Sequence, residues 1–336
     1  MKVCLLTPEF LPMWGGVGAY TYNLATQLRD EVEIHVLTAE NGAGKDETLI
    51  PDGVQVHSIP THGAAPETSP LTFQLGVRRR LPRLAEKHGF DIVHTNHAYM
   101  SDLLLRSKKG MPTVLTVHTT LDTQSTGTRA AGSGSPSQTM EANVLRWQPL
   151  LSQVERYYLR RRPSIIFVSR WVRDRTVNRY HVNPRYSAVV PNGVNTDMFS
   201  PNGSPRGVEN GQDEGPTLLF AGRLLALKGI GTLLEAMTRL NDDINLFIAG
   251  PGDQAGWRSM VHRLGLEGRV RFLGSVHYGR MPTLYRQVDA VVLPSFGESC
   301  PMVALEAMAS GTPLIAADAG GITEIVQDGE TGWLVY

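Results

Sequence analysis

Short apolar runs rich in β-branched residues recur along the chain with room for one helix between neighbours, and this rhythm constrains the fold more than any other feature. Strands buried on both faces read as continuous hydrophobic runs, the pattern of a parallel sheet covered by helices. The first half predicts strands at Lys2 to Thr7, Glu33 to Thr38, Asp91 to Thr95, Thr113 to His118, Ile165 to Ser169 and Ala188 to Pro191. The second half predicts Thr217 to Ala221, Asn245 to Ala249, Val270 to Leu273, Ala290 to Leu293 and Leu314 to Ala317. Both halves therefore read as α/β.

A chain of 336 residues exceeds the size at which one core usually keeps growing, so two domains are expected. Residues 201–216, rich in Pro, Gly and charge, read as a linker or exposed loop. This gives an N-terminal domain over 1–200 and a C-terminal domain over 201–336. A polar stretch at 122–139, dominated by Ser, Thr, Gly and Ala, reads as a mobile loop. The halves open alike, each with a strand and then a glycine pair before a helix: Gly16-Val17-Gly18 and Gly229-Ile230-Gly231. Two Rossmann-like domains have this form. Ligands of such sheets bind beyond the carboxyl ends of the strands, so a cleft between the domains is the expected site.

Basic and acidic residues balance at 32 each, which argues against a nucleic-acid partner. Two arginine runs stand out locally: Arg78, Arg79, Arg80 and Arg83, and Arg160, Arg161 and Arg162. Each reads as a solvated helix face, with peripheral contact to acidic lipid headgroups as the alternative. Cys4 and Cys300 are too few and too far apart for a disulfide framework. There is no signal-peptide core, and no run approaches the ~18 apolar residues of a membrane span. A cytoplasmic protein is expected.

Three motifs point to chemistry. Met13-Trp14-Gly15-Gly16-Val17-Gly18 follows the first strand, and glycines there let backbone N–H groups approach an anion at a helix start. The loop does not match G-x-G-x-x-G, so nicotinamide dinucleotide binding is not supported. Arg223 and Lys228 bracket a strand-to-helix turn, where a guanidinium fork and an ammonium point charge suit a diphosphate. Glu298-Ser299-Cys300-Pro301-Met302 leads through Val303 to Glu306. Pro301 suits a first helical turn. Eight residues of helix turn through roughly 800°, which leaves Glu298 and Glu306 within about 80° of one face. Carboxylates beside a diphosphate are suited to accept hydrogen bonds from sugar and ribose hydroxyls, and the free amides of the helix start can take the phosphate.

These motifs, with His118 at a strand end, Pro191-Asn192-Gly193-Val194, Gly250-Pro251-Gly252 and Ala307-Met308-Ala309-Ser310-Gly311, run in one order over nearly the whole chain. In that order the sequence resembles glycosyltransferase family 4, whose GT-B fold has two facing Rossmann-like domains. The resemblance implies a retaining glycosyltransferase, a hexosyltransferase fed by a nucleotide sugar such as a UDP-sugar. Its acceptor would be a glycan, a lipid or a small alcohol. By position, Arg223 and Lys228 correspond to the diphosphate clamp, and Glu298, with Ser299, Cys300 and Met302 beside it, to the donor contact. Glu306 corresponds to the ribose contact, Gly15 and Gly16 to the loop that closes near the diphosphate, and Val276 to the base-binding backbone. His118 corresponds to the catalytic histidine facing the reacting carbon.

The sequence departs from the family pattern in three places. Pro301 stands where Gly is frequent and offers no amide. Thr119 stands where Asp is frequent, so the orienting partner of His118 is open. The chain stops at Tyr336, where family members usually continue, so an incomplete C-terminal domain is expected. No Asp-x-Asp occurs, so no metal ion and no cofactor are expected in the transfer. Alternatives are a nucleotide-sugar epimerase of the same fold and a binding protein that has lost catalysis.

Overall fold

The computed structural model describes all residues except 11–14, 41–49, 62–69, 99, 106–110, 133–137 and 204–214. Met13 and Trp14 of the first glycine motif, and most of the expected linker, lie outside the described residues. The chain forms two compact units. The first holds Met1–Thr120 and Leu151–Gly193, the second Leu121–Leu150 and Val194–Tyr336.

The first unit is built on seven strands: β1 (Lys2–Leu6), β2 (Glu33–Glu40), β3 (Val54–Pro60), β4 (Ile92–Asn96), β5 (Thr113–Val117), β6 (Ser164–Phe167) and β7 (Tyr186–Val189). Their order is β3-β2-β1-β4-β5-β6-β7, and every neighbouring pair is parallel. Successive side chains point to opposite faces of a strand, and here both faces are covered. Cys4, Leu6, Leu37 and Ile59 pack with Phe73, Val77 and Leu81 of α2 (Pro70–His88). Val3, Leu5, Ile34 and Val36 pack with Ala25 of α1 (Gly16–Leu28). That double coverage is why these strands read as unbroken apolar runs.

The second unit repeats the plan with β8 (Thr217–Ala221), β9 (Asn245–Ala249), β10 (Val270–Gly274), β11 (Ala290–Leu293), β12 (Leu314–Ala317) and β13 (Trp333–Val335). Their order is β10-β9-β8-β11-β12-β13, again parallel. Phe220, Leu246 and Ile248 bury against Ile230, Leu234 and Met237 of α6 (Ile230–Met237) and Trp257 of α7 (Ala255–Arg263). Both sheets have the third-second-first-fourth order of Rossmann folds, so each has a switch point, at β1/β4 and at β8/β11.

Two strands escaped the sequence pattern, and each is an edge strand. β3 is only partly buried and carries His57 and Ser58. β13 is short and leaves Trp333 and Val335 exposed. An edge strand has one neighbour and no need for a continuous apolar run.

The polar stretch at 122–139 is not a loop throughout. It contains α3 (Leu121–Ala130) and the start of α4 (Gln138–Arg160). Its small polar side chains satisfy their own helix: Ser125 and Thr126 donate to the Asp122 carbonyl at 3.1 and 2.8 Å, and Thr128 to that of Gln124 at 3.0 Å. Gly127 faces Leu227 and Phe296, where a Cβ would stand 3.5 and 4.0 Å from them, in ordinary contact. The second unit therefore claims a segment that the expected division at residue 200 assigns to the first.

The arginine runs also differ from each other. Arg78, Arg79, Arg80 and Arg83 are exposed on α2. Arg162 instead forks onto Asp102 at 2.7 and 2.9 Å and lies 4.1 Å over the Tyr158 ring, so it is a structural cation and no part of a solvated face.

Candidate active site

In the second unit the loops that follow β8, β9, β11 and β12 are laced together at the carboxyl end of the sheet. The Gly222 amide donates to Ala249 at 2.9 Å, the Leu224 amide to Pro251 at 2.9 Å, and the Phe296 amide to Leu227 at 2.9 Å. The closeness demands glycine. A Cβ on Gly250 would stand 1.8 Å from the Gly222 carbonyl oxygen, and one on Gly229, with φ +74°, 1.9 Å from that of Pro294.

Gly229 ends a single 3-10 turn, Ala226–Lys228, and fixes where Lys228 leaves the backbone. At the β8/β11 switch point the Lys228 ammonium donates to Glu298 Oε1. Ser295 Oγ donates to the same oxygen at 2.8 Å. The backbone of Glu298 is held from its other side, its carbonyl accepting the Gly321 amide at 2.7 Å. Gly320, with φ +78°, leaves no space there: its Cβ would stand 2.1 Å from the Glu298 oxygen. Arg223 is half-buried on the same loop as Lys228.

Pro301 is the residue before α9 (Met302–Ala309), with extended ψ of 124°, so the helix amides begin at Met302. Ser299, Cys300 and Met302 are all buried at this helix start. Ser299 Oγ has no hydrogen-bond partner among the described residues, and a buried hydroxyl left unpaired is unusual. Glu306 lies deeper on α9 and is 4% exposed. Its Oε2 accepts from Tyr285 at 2.8 Å, Tyr285 belonging to α8 (Met281–Gln287). Burial pushes the Glu306 carboxyl up to about 7, against the pull of the Tyr285 and Tyr278 hydroxyls. Val276 follows β10 and is half-buried.

In the first unit Gly15 precedes α1 in extended conformation, and Gly16 opens the helix. A Cβ on Gly15 would meet Glu9 Oε2 at 2.2 Å, whereas Gly16 faces open space. His118 follows β5 and is buried, with the Tyr20 ring of α1 edge-on at 4.6 Å.

The partner of His118 is Asn96, at the end of β4: His118 Nε2 stands 3.3 Å from Asn96 Oδ1. Thr21 Oγ1 donates to the Val17 carbonyl at 2.8 Å and so accepts from Asn96 Nδ2, also at 2.8 Å. That order turns Asn96 Oδ1 toward the histidine, puts the imidazole proton on Nε2 and leaves Nδ1 as the acceptor. Burial, with the charges of His94 and His97, holds His118 down to about 3, so it is neutral.

Asn96, Ser295, Gly320 and Glu141 were not singled out in the sequence. Glu141, on α4, accepts from the Ala226 and Leu227 amides at 3.2 and 3.3 Å. Gly320 carries the one local signal, as glycine beside Gly321 after a strand. The other three are ordinary polar residues whose roles come from partners distant in sequence.

Cys4 and Cys300 are both buried, and neither is in a disulfide. Among the described residues no helix is long and apolar enough to cross a membrane.

Residues 14–198 match the Glycosyltransferase Family 4 profile, and residues 206–336 match that of Glycosyl transferases group 1. The D-inositol 3-phosphate glycosyltransferase of Corynebacterium glutamicum is 28% identical, over 100% of this chain and 84% of the relative. Among solved structures, sucrose-phosphate synthase from Thermosynechococcus elongatus superposes with a TM-score of 0.79 at 22% identity, covering 99% of this chain and 85% of the other. Anabaena HepE in complex with UDP-glucose superposes with a TM-score of 0.71 at 22% identity, covering 100% and 85%. With both halves matched and the two parallel sheets in place, the chain belongs to glycosyltransferase family 4 and has the GT-B fold.

Proposed function

We propose that this glycosyltransferase moves a hexosyl group from a UDP-sugar to a hydroxyl of a glycan, lipid or small-alcohol acceptor, with retention at the anomeric carbon and no metal ion in the transfer step. The observation that carries the donor half of this reading is the Lys228–Glu298 pair at the β8/β11 switch point, beside the helix start where Ser299 Oγ is unpaired. A cation, a carboxylate and free amides on laced loops are the parts that a diphosphate and a sugar need.

When donor binds, Lys228 turns from Glu298 to the diphosphate, with Arg223 as the second cation. Glu298, released, accepts from sugar hydroxyls, while the ionised form of Glu306 accepts from the ribose. Val276 lies at the base, and Gly15 and Gly16 close near the phosphates. As the glycosidic bond breaks, negative charge grows on the leaving diphosphate, where these fixed charges and the amides of α9 stabilise it. The leaving phosphate oxygen takes the acceptor proton on the same face, which gives retention. Neutral His118 offers its Nδ1 lone pair to the positive charge developing at the anomeric carbon. HepE was solved with UDP-glucose, which favours UDP as the nucleotide.

The proposed setting is the cytoplasm. The exposed cations Arg78, Arg79, Arg80 and Arg83 of α2 support peripheral contact with an anionic membrane face.

Calorimetric titration with UDP, GDP and ADP, Mg²⁺ withheld, tests the donor site, and NMR of the product anomer tests retention. UDP should bind tightly to the wild type and not to the Arg223→Ala, Lys228→Ala double variant. Equal binding to that variant, or binding only on addition of Mg²⁺, overturns the reading.

A further inference from the structure

The first unit gathers a second set of chemistry-bearing side chains that sugar transfer does not use. His35 on β2, His57 on β3 and His88 at the end of α2 bring one ring nitrogen each to within 4.8 Å of one another. The cluster lies toward the end of the sheet where strands begin, since α2 delivers His88 just before β4 starts. Asn96 and His118 stand at the other end. His35 is wholly buried and His57 and His88 half-buried, so an ion from solvent has a way in.

The geometry is that of a ligand set. His35 Nδ1 and His57 Nε2 are 3.0 Å apart, close to the about 3.3 Å that separates two nitrogens each bound at about 2.0–2.1 Å to one tetrahedral zinc. His35 Nε2 stands 3.0 Å from Glu33 Oε1. A carboxylate only accepts, so the proton of His35 is on Nε2 and Nδ1 presents its lone pair inward. This is how an outer carboxylate orients a metal-binding histidine. Glu33 is itself fixed by Lys2 at 3.2 Å. The third member supplies an independent sign: His88 Nε2 is buried and has no hydrogen-bond partner among the described residues. A histidine placed only to fill a core would have that nitrogen satisfied.

We propose that His35, His57 and His88 bind one divalent transition-metal ion of the zinc class, which ties β2 and β3 to the end of α2. Three neutral imidazoles favour zinc, cobalt or nickel over magnesium or calcium, which take oxygen ligands. The fourth position faces the half-exposed side and takes water. On coordination the single ring proton of neutral His57 moves from Nε2, where it faces His35, to Nδ1, which frees the Nε2 lone pair for the ion. The ion is structural, joining two neighbouring strands to the helix packed on them, and it takes no part in transfer.

The test uses the full chain without a histidine tag, stripped with chelator and titrated with Co²⁺ while visible absorption is followed. The expected result is one equivalent bound with the strong bands of a low-coordinate Co²⁺ site, displaced by Zn²⁺, and a higher Tm with Zn²⁺ present. His57→Ala with His88→Ala should weaken binding by more than the about 10- to 100-fold that loss of an outer-shell partner alone costs and remove the Zn²⁺ effect on Tm, with UDP binding unchanged. The histidines lie in the first unit and the donor residues in the second, so far-UV circular dichroism and a cooperative melt of the metal-free variant report whether it is intact. His57→Gln, which keeps size and polarity, gives the same reading should the alanine pair unfold. No stoichiometric Co²⁺ binding by the wild type overturns the proposal, as does full binding by the variants.

Discussion

Lys228 and Glu298, 70 residues apart in sequence, form an ion pair across the switch point of the second sheet. The loops after β8 and β11 meet only because those strands are neighbours, so the pair is a product of strand order. Their side chains are 20% and 10% exposed. At that depth removing one partner leaves an uncompensated charge, which costs more than the pair contributes. Lys228→Ala is expected to lower stability by about 2–3 kcal/mol. Adding Glu298→Gln should recover most of that loss, because the neutral amide can still accept from Ser295. Neither protein should bind UDP-sugar. Urea denaturation and calorimetry on the single and double variants check this. Recovery of donor binding along with stability would mean that Lys228 serves only the fold.

Asn96 positions His118, and the two effects of removing it can be separated. In Asn96→Ala the imidazole loses the acceptor that fixes its tautomer, while the Tyr20 ring and the whole donor set are untouched. The turnover number is expected to fall by about 10- to 100-fold and the KM for donor to stay within about twofold. The pH profile adds a second readout. His118 is held down to about 3, so its neutral form persists through the working range and contributes no acid limb near pH 6. Asn96→Asp puts a carboxylate against Nε2, which favours the imidazolium and raises that value. An acid limb should then move toward neutral pH. Profiles that coincide for wild type and Asn96→Asp count against a role for the histidine.

Glu306 is pushed up to about 7, above its unfolded value, so the folded state holds a proton that the unfolded state releases first. Stability therefore falls as pH rises from about 4.5 to about 7 and levels off above. Donor binding runs the other way, because the ionised carboxylate is the better acceptor for ribose hydroxyls. UDP affinity is expected to rise several-fold between pH 6 and pH 8 in the wild type. Glu306→Gln should be flat in both respects, with weaker UDP binding at pH 8 and a smaller loss of Tm on going from pH 5 to pH 8. Calorimetry and thermal melts over that range check it.

Elements buried on both sides were legible in the sequence, because a central parallel strand must be apolar at every position. β8, β9, β11 and β12 have the predicted bounds. Where burial is one-sided the signal fades, as for β3 and β13. α3 was hidden for another reason: Ser125, Thr126 and Thr128 read as loop formers but bond back to their own helix. Among the candidate residues of the two units, those whose type carries their chemistry, such as Arg223, Lys228, Glu298, Glu306 and His118, can be proposed from sequence. Asn96 could not, because its role lies in linking β4 to α1 and β5. The histidines at 35, 57 and 88 were equally silent, since no spacing along the chain brings two strands and a helix end together.

Glu141 supports the donor loop from beneath. Its carboxylate takes the Ala226 and Leu227 amides at 3.2 and 3.3 Å, immediately before Lys228, and the residue is only 6% exposed. Those amides belong to a single 3-10 turn that has too few internal bonds to hold itself. Loss of the carboxylate takes an acceptor from both amides, at a cost of about 1–3 kcal/mol. Glu141→Ala is expected to lose stability in that range, to speed hydrogen exchange at Ala226 and Leu227, and to weaken UDP binding several-fold because Lys228 is no longer held ready. Glu141→Gln keeps one oxygen to accept with and should retain most of both properties. Exchange followed by NMR separates this local support from general destabilisation. If Ala226 and Leu227 exchange no faster in Glu141→Ala while distant amides do, the carboxylate supports the unit as a whole and the preorganisation of Lys228 must come from Gly229 and its packing against Pro294.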